Sequence, residues 1–132
     1  RTQAATPGKE LQMSGTVGTV TLYHNPRCSK SRQTLALLED RGIEPQIIKY
    51  LETPPDEATI SGLLDKLGIR AIELVRRKEP PFAELGLASS EEDDPALIAA
   101  MARHPILIER PIVVAGEEAR IGRPPENILD IL

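Results

Sequence analysis

Hydrophobic and β-branched residues first gather at Thr16-Val17-Gly18-Thr19-Val20-Thr21-Leu22-Tyr23, a run that predicts a strand. His24-Asn25-Pro26-Arg27 follows as a polar loop. Ser29 to Arg41, with Leu35, Leu38 and small residues between them, reads as a helix closed by Gly42 at its C-terminal cap. Gln46-Ile47-Ile48-Lys49-Tyr50-Leu51 is a second strand, and strand, helix, strand in so few residues implies a parallel crossover. The spacing then becomes helical. Thr53-Pro54-Pro55-Asp56 is a helix start with Thr as cap, and Ile60, Leu63, Leu64 and Leu67 make an i, i+3, i+4, i+7 stripe ended by Gly68. A short helix is expected over Ala71 to Arg77, broken by Pro80-Pro81. After an acidic turn at Glu91 to Asp94, Asp94-Pro95 opens another helix through Leu97, Ile98 and Met101 to Arg103. Ile112-Val113-Val114-Ala115 is a buried-type strand, Gly116-Glu117 a turn, Ala119-Arg120-Ile121 a partner strand, and Pro124 to Leu132 a last helix. The order predicts an α/β sandwich with a mixed sheet and a helical insertion at about residues 54–104.

Arg1 to Gln12 is polar and lacks periodicity, and it precedes Met13-Ser14-Gly15, which reads as a start. We expect an expression remnant or disordered leader there, and a single domain over 13–132. Twelve prolines and nine glycines in 132 residues fit many short elements better than a helical bundle. With two Tyr, one Phe and no Trp, base-stacking platforms for nucleic acid are excluded, and a net charge of -4 argues against phosphate-backbone affinity. No apolar run approaches the length of a membrane span.

Cys28 is the only cysteine, so no internal disulfide can form, and a reducing cytoplasm is the expected setting. One Cys with His24 and His104 is too few for a Cys/His zinc site, and no metal is expected. The thiol falls where a strand's C-terminal end meets a helix N-terminus, the ligand-binding edge of an open α/β sheet. Free amide groups and the helix dipole stabilise a thiolate there, and Arg27, Lys30 and Arg32 are expected to add positive charge. His24 is a candidate either to hydrogen-bond the thiolate or to fix the loop.

Four segments together resemble the glutaredoxin-coupled arsenate reductase family. They are Tyr23-His24-Asn25-Pro26-Arg27-Cys28-Ser29-Lys30-Ser31-Arg32, Tyr50-Leu51-Glu52-Thr53-Pro54-Pro55, His104-Pro105-Ile106-Leu107-Ile108-Glu109-Arg110-Pro111-Ile112-Val113-Val114, and Gly122-Arg123-Pro124-Pro125. The resemblance runs from about Val17 to Leu132. It implies a thioredoxin-like three-layer sandwich and a cis-proline position at Arg110-Pro111. It also implies Cys28 as the catalytic residue, Arg76, Arg110 and Arg123 as oxyanion-binding arginines, and His24, Ser31 and Arg32 in supporting places. Arg77 adjoins Arg76 and is its competitor for that role. Paired guanidinium forks suit a tetrahedral oxyanion and favour a nearby thiolate.

The implied reaction is reduction of arsenate, with glutathione as co-substrate, glutaredoxin as protein partner and no bound cofactor. A monomer is expected, with neither nucleic acid nor membrane as partner. A phosphatase-type arsenate reductase is ruled out, because its loop needs an arginine six positions after the cysteine and Thr34 stands there. Two alternatives differ in function. An Spx-type regulator would share the fold and bind RNA polymerase, but its C-x-x-C switch is replaced here by Cys28-Ser29-Lys30-Ser31. A related thiol oxidoreductase would keep the thiol and act on another substrate.

Overall fold

The computed structural model describes residues 19–132, so the expected leader, the start at Met13 and Thr16 to Gly18 of the first expected strand lie outside the described residues. Four strands, β1 (Val20–His24), β2 (Gln46–Lys49), β3 (Ile112–Ala115) and β4 (Glu118–Ile121), form one sheet in the order β2-β1-β3-β4. β1 and β2 are parallel, with Leu22 opposite Ile47, and α1 (Ser29–Asp40) makes the crossover between them. β3 runs antiparallel to both its neighbours, with Val113 between Leu22 and Arg120. A two-residue turn, with Gly116 at φ +63°, closes the β3-β4 hairpin.

Alternation along the strands sends side chains to opposite faces and builds two cores. Val20 and Leu22 of β1 and Val113 and Ala115 of β3 pack with Leu38 of α1 and Ile128 of a 3-10 helix over Pro125–Ile131. On the other face Tyr23, Ile112, Val114 and Ala119 meet α2 (Glu57–Leu67) and α5 (Asp94–Arg103) through Ile60, Leu63, Leu64, Leu97 and Met101. Each such fully buried aliphatic side chain contributes about 1.5–3 kcal/mol. Helices, mixed sheet and helices make the three layers expected of a thioredoxin-like α/β sandwich. No helix of the described residues is long and apolar enough to cross a membrane.

Several expected boundaries move, each for a local reason. β2 stops at Lys49, because the Glu52 and Thr53 amides both bond the Lys49 carbonyl and turn Tyr50 into the core, 1% exposed. The cap of α2 is Asp56, whose carboxylate accepts from the Thr59 amide at 2.8 Å, and not Thr53. Residues preceding a proline avoid the helical region, which keeps Thr53 and Pro54 outside the helix. The helix from Ala71, α3 (Ala71–Leu74), ends three residues short of Arg77. Val75 is extended there and bridges Ile108. Pro80-Pro81 ends one segment and also opens α4 (Pro80–Glu84), since proline suits the first helical positions. A 3-10 turn over Leu87–Ser90 precedes the acidic turn, in which Asp93 caps α5 through the Ala96 amide at 3.1 Å. The C-terminal helix is of the 3-10 type.

Candidate active site

The chain leaves β1 at His24 and turns at once into α1, with the Cys28 amide bonding the Asn25 carbonyl at 2.9 Å. Cys28 is the N-cap residue of α1 in an extended conformation, and its side chain makes no capping bond. The unused first-turn amides of Lys30 and Ser31 are therefore free to donate to the sulfur. Three side chains hold the loop in shape. Asn25 Oδ1 accepts from the Arg27 amide at 3.0 Å, Ser31 Oγ accepts from the Asn25 amide at 3.0 Å, and Arg32 Nη1 donates to the Pro26 carbonyl at 3.0 Å.

His24 Nδ1 lies 2.7 Å from Ser31 Oγ, so of its two candidate roles the ring takes that of fixing the loop. Burial, with the charges of Lys49 and Arg32 added, holds the imidazole below its ordinary pKa and keeps it neutral at neutral pH.

Two arginines reach the sulfur from across the fold. Arg110 and Arg123 each precede a cis proline, as expected at Pro111 and not foreseen at Pro124. The Gly122 amide bonds the Pro111 carbonyl at 2.9 Å, and Arg123 Nε donates to the Arg110 carbonyl at 2.7 Å, so the two Arg-Pro turns are locked side by side. Gly122 makes that approach possible. A Cβ there would stand 2.5 Å from Thr34 Oγ1 and 2.9 Å from Pro111 Cγ. Arg123 Nη2 then lies 3.5 Å from Cys28 Sγ.

Burial of Cys28, 8% exposed, pushes its thiol up. Hydrogen bonds from the Ser31 amide and the Arg110 guanidinium, the charge of Arg110 and the Lys30 amide outweigh burial, and the pKa falls below that of a free thiol. This corrects one expectation. The flanking cations do not supply the charge: Lys30 acts through its amide, Arg32 faces Pro26, and Arg110, distant in sequence, is the cation that lowers the thiol. Iodoacetamide alkylation of Cys28 against pH is expected to show a midpoint below that of a free thiol, because the rate follows the thiolate fraction. A midpoint at or above it would mean that burial outweighs the amide and Arg110 interactions.

Arg76 reaches the site through backbone pairing. Its amide donates to the Leu107 carbonyl at 2.7 Å and the Glu109 amide to the Leu74 carbonyl at 2.8 Å, which sets Arg76 beside Glu109. Arg76 Nη1 is 2.9 Å from Glu109 Oε1, and its Nε is 3.2 Å from Glu79. Arg77 points away, paired with Glu91 at 2.8 Å and stacked over Phe82, so Arg76 is the member of the cluster.

Three further residues join the site that sequence patterns did not single out. Asn25 shapes the loop and Glu109 lies between two arginines. The Tyr50 phenol is pushed up by burial and feels the charges of Arg110, Arg76 and Cys28. Among the described residues, the Tyr50 hydroxyl and Arg110 Nε are buried without a hydrogen-bond partner. A tetrahedral oxyanion beside Cys28 would offer acceptors to both. No group of three His, Cys, Asp or Glu side chains among the described residues is placed to hold a metal.

Comparison with known proteins fits this geometry. A solved structure described as arsenate reductase from Vibrio cholerae superposes with a TM-score of 0.84 at 56% identity, covering 86% of this chain and 98% of that one. The uncharacterized protein YfgD of Escherichia coli strain K12 is 57% identical over 114 residues, 86% of this chain and 96% of that protein. An arsenate reductase of Rhizobium meliloti strain 1021 is 47% identical over 114 residues, 86% of this chain and 81% of that protein. The family model for the ArsC family matches residues 23–131, from the end of β1 through the last helix. With a buried, activated cysteine at the head of α1 and a match over most of its length, this chain belongs to the ArsC family.

Proposed function

We propose that this chain reduces arsenate to arsenite, with Cys28 as nucleophile and with glutathione and glutaredoxin as reductants. The observation that carries this reading is a thiol of lowered pKa facing the guanidinium groups of Arg110 and Arg123. Relatives named arsenate reductase at 47% identity support the substrate. The Cys28 thiolate attacks arsenic and an arsenate oxygen leaves as water, giving a thiol-arsenate adduct. Arg110 and Arg123 stabilise the crowded oxyanion state. Glutathione thiolate then attacks the Cys28 sulfur and the S–As bonding pair stays on arsenic, which leaves as arsenite. Two thiols are thereby oxidised to a mixed disulfide, and arsenic gains two electrons. Glutaredoxin exchanges that disulfide and restores Cys28.

A single thiol requires such an outside partner and fits a reducing cytoplasm. The test is a coupled assay containing arsenate, glutathione and glutaredoxin. Arsenite formation dependent on the protein is expected, whereas a regulator of the Spx type would give no turnover.

A further inference from the structure

Glu109 is out of place in a site built for anions. Its Oε1 accepts from Arg76 Nη1 at 2.9 Å, lies 3.1 Å from Arg123 Nε, and accepts from the Arg110 amide at 3.4 Å. Glu79 adds a second carboxylate at 3.2 Å from Arg76 Nε. Three guanidinium groups therefore face two carboxylates, and ionisation of Cys28 adds the third negative charge that balances them. Among the described residues, Arg110 is the one of the three held in no ion pair. The Glu109 side chain is 27% exposed, so water can solvate the carboxylate once it leaves the arginines.

We propose that Glu109 is a specificity-determining residue. Its carboxylate oxygen occupies the corner between Arg76 and Arg123 that one oxygen of an oxyanion would use. An incoming oxyanion competes with this internal anion, and multiply charged oxyanions are disfavoured most, because their repulsion by an undisplaced carboxylate grows with charge. The inference rests on the reading of Cys28 and the arginines as an oxyanion site, but not on arsenate being the substrate. The opposite role, in which Glu109 pre-positions Arg76 and Arg123 for binding, predicts the opposite sign.

The test uses inorganic phosphate as a non-reacting tetrahedral probe, read as protection of Cys28 from iodoacetamide in the full chain at a pH where the thiol is ionised. Glu109→Gln keeps an acceptor oxygen for both arginines and removes the charge. Its half-protecting phosphate concentration is expected to be roughly tenfold or more below that of the parent protein. Glu109→Asp keeps the charge but is too short to span both arginines, and an intermediate value is expected. It also serves if the Gln variant fails to fold. Half-protection unchanged or weakened in the folded variants overturns the proposal. Absence of protection in parent and variants alike overturns the oxyanion site itself, while protection that sharpens without any arsenate turnover upholds the role of Glu109 and sinks only the choice of substrate.

Discussion

Cys28→Ser is expected to abolish arsenite formation while leaving the fold intact. Serine has nearly the same size as cysteine, and the side chain makes no capping bond that α1 would lose. The loop contacts of Asn25, Ser31 and Arg32 do not involve the sulfur. What disappears is the chemistry. A hydroxyl at this position stays protonated at any working pH, and a serine oxygen cannot leave its bonding pair on arsenic and go on to a mixed disulfide with glutathione. The coupled assay together with a thermal melt checks both halves. Substantial turnover by a folded Ser variant would remove Cys28 from the reaction.

Arg110→Ala should weaken kcat/KM by about 2–5 kcal/mol, the range for truncating a desolvated charge partner, and Arg123→Ala, whose side chain is 35% exposed, by less. The two differ in what else they change. Arg110 lowers the thiol by hydrogen bond and by charge, so its removal should also raise the alkylation midpoint of Cys28. Arg123 braces the Arg110 carbonyl through Nε and is paired with Glu109, so its loss also disturbs the Arg110 turn and frees a carboxylate. Wild-type kcat/KM in both variants would contradict their placement around the reacting atom. Arg77→Ala is the matched control, because that side chain pairs with Glu91 away from the thiol.

Much of the fold was legible because the elements are locally consistent. The β-branched runs at β1 and β3, the Ile60-Leu63-Leu64-Leu67 stripe and the Gly42 and Gly68 caps each signal one structure. Both glycines adopt the positive φ that such caps require. Boundaries failed where tertiary contacts overrode local preference. Val75 leaves the helix to pair with Ile108, and Tyr50 leaves the strand to enter the core.

The site divides in the same way. Cys28 could be placed from local signals alone, since a strand end, a polar loop and a helix start surround it. The arginines could not, because eleven of them are scattered along the chain, and only family resemblance selected Arg76, Arg110 and Arg123. Sequence proximity also misled: Arg27, Lys30 and Arg32 adjoin the thiol, yet Arg110 lowers its pKa from 82 positions away along the chain. Asn25, Tyr50 and Glu109 lie inside the segments that carry the family resemblance but bear no local mark of their role. Glu109 in particular acquires its meaning only when the strand-like pairing of residues 74–76 with 107–109 brings Arg76 alongside it.

The most direct measurement omits glutaredoxin. Reduced protein is incubated with arsenate and glutathione, and the intact chain is weighed. Since Cys28 is the only thiol, a productive turnover must leave one glutathione per chain on Cys28, formed only with arsenate present and removed when glutaredoxin is added. An unmodified mass, a Cys28 to Cys28 dimer, or an adduct that forms equally well without arsenate would contradict reduction of arsenate through this thiol.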